Sequence, residues 1–282
     1  MVAQYVVPMA YSLIYIVAAF ALLWVAKAIY TSVYRRVDLK KGLFGQNNLA
    51  LAISTVGYLF GIIIALGGLF SGESRGLQAD LTGIVLYGLL TILLMIIASF
   101  ICEKILLPHF DNTKEVVEDQ NIGTAFVEAG VHIANGLILL AIQQGTGPWW
   151  SGLVFWGIAQ GVLVVAGLLY EWVTPHNIHE ELEGDNGAVG LAFGGGLVGM
   201  GNIISLAVAG DFHSWTQSLA VFAGEVVFGL IVLFILKKLT DAVLAPRIRL
   251  STEQAKESPN LGAGLLEAFG YVGGSMLVVW VF

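Results

Sequence analysis

Apolar residues fall into eight long runs, at about 8–30, 49–71, 81–106, 122–143, 149–173, 187–210, 215–240 and 261–282, with short polar stretches between them. Each run is long enough to cross a bilayer as a helix, which takes roughly 20 residues. Strands are excluded as spans. The runs are too long, and an open sheet edge leaves backbone groups unsatisfied in lipid. The pattern therefore predicts an all-α polytopic membrane protein with eight transmembrane helices. The first run is too long for a signal peptide and no small-residue cleavage site follows it, so it reads as the first span. The connections alternate in character. Those after runs one, three, five and seven are charged, and the one after run four (144–148) carries no charge.

Four of the runs open on one pattern, an Asn with small residues two and four positions later. Asn48 leads Ala50 and Ala52, Asn121 leads Gly123 and Ala125, Asn186 leads Ala188 and Gly190, and Asn260 leads Gly262 and Gly264. A shift of 138 residues lays Asn48 on Asn186, Gly57 on Gly195, Gly61 on Gly199 and Pro108 on Pro246. A shift of 139 lays Asn121 on Asn260, Gly123 on Gly262 and Glu128 on Glu267. The chain thus divides into two four-span halves, 1–143 and 144–282. Four is even, so both halves enter the membrane in the same sense, a parallel repeat about an axis along the membrane normal. An Asn at a helix entry can accept from the orphan amides of the first turn. Small residues let backbones approach, which helix association in lipid depends on. Gly57/Gly61, Gly157/Gly161, Gly195/Gly199 and Gly270/Gly274 extend the small-residue theme.

Composition agrees with a membrane protein. Charged residues are 12% of the chain, where soluble domains carry about a quarter. Of thirteen Lys and Arg, all but Arg75 lie at or in the connections that share a side with Lys27, Arg35, Arg36, Lys40 and Lys41. Positive residues resist translocation, so that side is expected to be cytoplasmic and both termini to face outward. Clusters this small make no nucleic-acid surface. The single cysteine, Cys102, excludes an internal disulfide. Trp149, Trp150 and Trp156 read as interfacial anchors at the outer face. Gly194–Gly199 fits a dinucleotide fingerprint literally, but it lies inside a span with no strand before it. With no zincin, CxxC, nucleophile-elbow or phosphate-loop pattern, no enzyme and no cofactor is expected.

The sharper signal is charge within the apolar runs. Glu128 and Glu267 sit seven residues after Asn121 and Asn260, roughly 10 Å into the membrane. In span four, Asn121, Ala125, Glu128, His132 and Asn135 form one stripe at helical spacing; span eight repeats it as Asn260, Gly264, Glu267, Tyr271 and Gly274. Glu225 in span seven is a third carboxylate. Intramembrane ionisable groups cost several kcal/mol unless paired, wetted or protonated, so each is a functional candidate. Glu128 and His132 are placed to share a proton. The plainer reading is interhelical glue of about 1 kcal/mol. In the fifth connection, His176/Glu180 and His179/Glu183 have the i,i+4 spacing of divalent-ion ligands, though no closing ligand set is visible. The ordinary reading is a solvated helix. That connection alone on its side lacks Lys and Arg, so its acidic face suits a basic cytoplasmic partner.

The stretch Tyr170-Glu171-Trp172-Val173-Thr174-Pro175-His176-Asn177, followed by Asn186 to Gly194, resembles the YjfL-like family of bacterial inner-membrane proteins, domain of unknown function 350. A typical member is similar to one four-span half, so this chain would be two units in tandem. In half one, Tyr34, Arg35, Arg36 and Val37 stand where half two has Thr174 to Asn177, a departure from the pattern. The resemblance implies a plasma-membrane location, self-association and a loose link to envelope stress and polyamine-related genes. The function expected from the carboxylates is a conduit for a proton, a cation or a small solute, lined by Glu128, Glu267, Glu225 and His132. The alternative is a non-transporting scaffold whose basic loops hold anionic lipid or a partner.

Overall fold

The computed structural model describes residues 2–34, 36–72, 74–108 and 111–282, with the side chains of the first helix from Met9 onward. Arg35 lies outside the described residues. All eight apolar runs are helices, and no strand occurs among the described residues. They are α1 (Val2–Val33), α2 (Leu49–Phe70), α3 (Leu77–Ile105), α5 (Ile122–Gln144), α6 (Trp149–Val173), α8 (Gly187–Val208), α9 (Trp215–Leu244) and α11 (Leu261–Val281). Three short α-helices lie between them, α4 (Asn112–Val117), α7 (Ile178–Glu183) and α10 (Leu250–Gln254), and a π-helical turn spans Lys41–Gly45. Helix α3 begins earlier than its apolar run suggests because its entry is set by Gly76, at φ 102, not by hydropathy.

The four Asn-led helices share one entry. Asn48 Oδ1 accepts from Leu51 N at 2.8 Å, Asn121 Oδ1 from Thr124 N at 2.9 Å, Asn186 Oδ1 from Val189 N at 3.1 Å and Asn260 Oδ1 from Ala263 N at 3.2 Å. Each of these Asn residues also turns its backbone N–H back to the preceding segment, onto Gly42 O, Glu115 O, Glu181 O and Glu253 O. The reversal is made by a left-handed residue just before the cap: Asn47, Gln120 and Asp185, at φ 53, 57 and 58. In the fourth copy Pro259 stands there, and its ring fixes φ negative, so that entry is built differently.

The side-chain amides then tie each entry to the next. Asn48 Nδ2 donates to Val116 O at 2.9 Å, Asn121 Nδ2 to Leu182 O at 2.6 Å and Asn186 Nδ2 to Gln254 O at 2.9 Å. Asn260 Nδ2 finds no acceptor among the described residues. Replacing Asn121 by alanine removes the cap, orphans Thr124 N–H and takes the inter-helix donor from the Leu182 carbonyl, which keeps its backbone donor Asp185 N–H. The expected loss is about 1–3 kcal/mol, read as a lower unfolding midpoint in detergent. Asn260→Ala, which breaks only a cap, should cost about 1 kcal/mol.

This linkage sets α2, α5, α8 and α11 side by side in one parallel row. The same contact recurs at each step. The ninth residue after one Asn meets the eighth after the next: Gly57 against Ala129, Gly130 against Gly194, Gly195 against Ala268. Higher up, Gly61 lies on the His132 backbone and Gly199 on that of Tyr271. The contact between the two four-helix repeats is therefore of the same kind as the contacts inside them. The row stops where the small residues stop. The outward faces of its end helices carry Val56 and Phe269 at those positions, 63% and 58% exposed.

The other four spans flank the row: α1 on α2 and α3, α3 on α2 and α5, α6 on α5 and α8, α9 on α8 and α11. Their outer sides, such as Leu13, Phe20 and Trp24 of α1, are broadly apolar and exposed, as a lipid-facing surface would be. Sequence spacing did not sort the glycine pairs. Gly270 and Gly274 pack on Thr240 and Leu236, whereas Gly157 and Gly161 face open space. Nor are the three tryptophans alike. Trp149 and Trp150 are exposed, but Trp156 is buried, one and two turns before Ala159, Gln160 and Leu163 on the inner face of α6.

Candidate functional site

The row places Glu128 and Glu267 at matched depth, and their surroundings differ. In the second half, Glu267 is fully provided with donors. Lys237 Nζ lies 3.3 Å from its Oε1 and 2.7 Å from Asp241 Oδ2. Tyr170 Oη donates to Glu267 Oε1 at 3.1 Å, and Gln254 Nε2 to Oε2 at 2.8 Å. The Lys237 ammonium also sits 5.9 Å from the centre of the Tyr271 ring, a cation–π distance. Helices α6, α9, α10 and α11 each contribute one or more of these groups, so the cluster ties the outer spans to the last helix of the row.

In the first half, Glu128 accepts from Ser54 Oγ of α2 and from no other donor among the described residues. Tyr30 Oη lies 3.4 Å from the same Ser54 Oγ. His132, one turn on, lies 3.3 Å through Nδ1 from Ser99 Oγ of α3, and its ring meets Tyr58 edge-on at 5.2 Å. Glu128 and His132 make no direct hydrogen bond with each other. A cavity of about 30 Å³ opens beside them, lined by Tyr30, Tyr34, Ser99, Glu103, Asn112, Glu128 and His132 among others. It lies on the face of the row where the Asn caps sit.

The 138-residue shift explains the difference. It lays Ser99 on Lys237 and Glu103 on Asp241, while the 139-residue shift lays His132 on Tyr271. The second half carries its own cation; the first half has a hydroxyl in that place. Sequence reading missed Lys237 as a partner, counting it among the basic residues of a connection, met Tyr170 only as part of the family resemblance, and missed Gln254, Ser54 and Ser99 altogether. The shift itself was the signal that could have found Lys237.

Further along α5 the stripe continues. Asn135 accepts from Gln160 Nε2 of α6 at 2.7 Å, and Gln143 Nε2 donates to Thr91 Oγ1 of α3 at 2.7 Å. Gln143 lines a second cavity, of about 630 Å³, at the opposite end of the spans, with Tyr15, Arg75, Asp80, Asp211 and His213 also on its walls. Tyr15 Oη and the Arg75 backbone N–H both donate to Asp80 there, at 2.7 and 3.0 Å.

Glu225 does not join either site. It is exposed on the outer side of α9, because α9 buries Phe222, Val226, Gly229 and Leu233 at helical spacing and turns Glu225 away. The histidines of the fifth connection do not assemble with their expected partners. His179 Nε2 pairs with Glu171 Oε1 at 3.1 Å, and Glu180 Oε1 accepts from Asn177 Nδ2 at 2.8 Å. His176 lies outside α7, where partial burial lowers its pKa from the usual imidazole range and favours the neutral ring. The described residues hold no group of three or more His, Cys, Asp or Glu placed to share a metal ion, and Glu183 is not drawn into one.

Comparison with known proteins gives two matches. The profile of the family described as Domain of Unknown Function (DUF350) fits residues 3–142 and again residues 145–282. A UPF0719 transmembrane protein of Aquifex aeolicus (strain VF5) is 22% identical over 205 residues, covering 68% of this chain and 72% of that relative. No solved structure matches the chain.

Proposed function

The chain belongs to the DUF350 family, as two tandem units of a multi-pass membrane protein, and from that premise we propose that it conducts protons or small cations along α5, with Glu128 as the working carboxylate. The observation that carries this reading is the asymmetry between the two acids. Glu267 is paired with Lys237. Glu128 lies on a cavity with Ser54 as its donor. A carboxylate within a membrane span that has no cation among the described residues is costly to keep, which makes it a functional candidate.

The rest of α5 supports a path. His132, Asn135 and Gln143 follow Glu128 at helical spacing and lead from the small cavity to the large one. From 128 to 143 is roughly 22 Å at 1.5 Å per residue. The basic residues support placing the cap face, and so the Glu128 cavity, on the cytoplasmic side of the inner membrane. Glu267 serves structure in this reading, and Glu225 has no part in the path.

The test is flux through the purified protein in liposomes. Glu128→Gln is expected to reduce proton or cation flux at least about tenfold, the scale on which removing one working acid acts, with the unfolding midpoint unchanged. Flux that survives Glu128→Gln would refute the role given to Glu128. Wild-type protein that moves nothing beyond empty liposomes would leave the scaffold reading in its place.

A further inference from the structure

We propose that the cavity beside Glu128 binds a monovalent cation of ammonium size, in the place that the Lys237 ammonium takes in the second half. The proposal deepens the conduit reading and rests on it for its role, though not for its geometry.

The second half supplies the template. There one ammonium lies between two carboxylates, Asp241 and Glu267, beside an aromatic ring, Tyr271. In the first half the matching carboxylates are Glu103 and Glu128, and both line the cavity. Tyr30 and Tyr34 bring aromatic rings to the same wall. The chain's own ammonium is missing because position 99 is serine.

A second observation points the same way. Asn112 lines this cavity, is 3% exposed, and its Oδ1 has no hydrogen-bond donor among the described residues. A buried acceptor without a donor is costly, and a bound cation or ammonium N–H would satisfy it. Among the described lining residues no lysine or arginine is present. Glu103 Oε1 does meet Lys104 Nζ at 3.1 Å, but Lys104 lies on the exposed side and does not line the cavity. The polar side chains there are two carboxylates, four hydroxyls, the Asn112 amide, one imidazole and the Cys102 thiol.

Size and ligand type narrow the guest. A cavity of about 30 Å³ admits something the size of a single water, which ammonium or potassium matches. Calcium takes six to eight oxygen ligands in one shell, whereas the second half holds its ammonium with two carboxylates and a ring. No transition-metal set is assembled among the described residues.

The experiment measures the unfolding midpoint of detergent-purified protein at constant ionic strength, with ammonium chloride replacing N-methylglucamine chloride. Ammonium at several times its dissociation constant is expected to raise the wild-type midpoint by about 2–4 °C. Ser99→Lys builds the tethered ammonium of the second half into the first. It is expected to raise the midpoint without ammonium and to abolish the ammonium response. If Ser99→Lys fails to fold, Glu128→Gln decides: loss of the response supports the site, and a retained response overturns it. An equal wild-type midpoint in both salts also overturns it. Proton flux without any ammonium effect would remove this inference and leave the conduit standing. An ammonium effect without flux would do the reverse.

Discussion

Gly130→Val is expected to abolish the folded protein, with a loss of at least about 3 kcal/mol, at the upper end of what overpacking costs. The reason lies in what a side chain at that position would meet. Gly130 lies against the backbone of Gly194, and Gly194 lies in turn against the Phe126 carbonyl. Overpacked cores usually recover by moving side chains. Here backbone meets backbone, so the only relief is to part α5 from α8. Those two helices join the halves, and their contact is the middle of three similar ones, so parting them breaks the row at its centre. In lipid no gain in apolar burial drives the helices back together. Size-exclusion chromatography in detergent should show loss of the monodisperse peak. Gly161→Val is the control. Nothing lies within 4 Å of a Cβ added there, and its effect should stay within about 0.5 kcal/mol, as for ordinary surface positions. A Gly130→Val protein as stable as wild type would refute the close-packed row.

The second large effect is expected at Lys237. The side chains of Lys237 and Glu267 are 11% and 6% exposed, so Lys237→Met leaves Glu267 and Asp241 as neighbouring, poorly solvated carboxylates. Breaking one side of a buried pair costs about 3–5 kcal/mol. The triple variant Lys237→Met/Asp241→Asn/Glu267→Gln removes every charge from the cluster and should regain most of that loss, since buried ions replaced as a unit are often nearly neutral. Unfolding midpoints of the three proteins in one detergent check this. Equal stability of Lys237→Met and wild type would show that the ammonium is not holding the cluster. The contrast with the first half is direct. Glu128 has no lysine to lose, so its Gln variant should keep its stability and lose only flux.

These expectations could not all be read from residue order. Gly157/Gly161 and Gly195/Gly199 have the same spacing, yet one pair faces open space and the other is pressed into the row. An apolar flanking helix such as α6 or α9 has almost no polar face to mark which side turns inward. For the same reason Glu225 reads like Glu128 in sequence and sits on the opposite kind of surface. Lys237 was visible as a charge near a helix end. Its role required knowing that α9 packs on α11, so that a side chain near the end of one span reaches an acid in another.

By itself the sequence determined the eight spans, the parallel halves, the four Asn-led helices and the matched depth of two acids. These follow from bilayer thickness, from helix geometry and from a repeat that survives in the spelling. Tertiary structure alone decided that the Asn-led helices stand in one row, that Glu267 meets a lysine while Glu128 meets none among the described residues, and which glycines meet a neighbouring backbone. Lipid accepts nearly any apolar face, so hydropathy does not distinguish a surface turned to acyl chains from one turned to another helix.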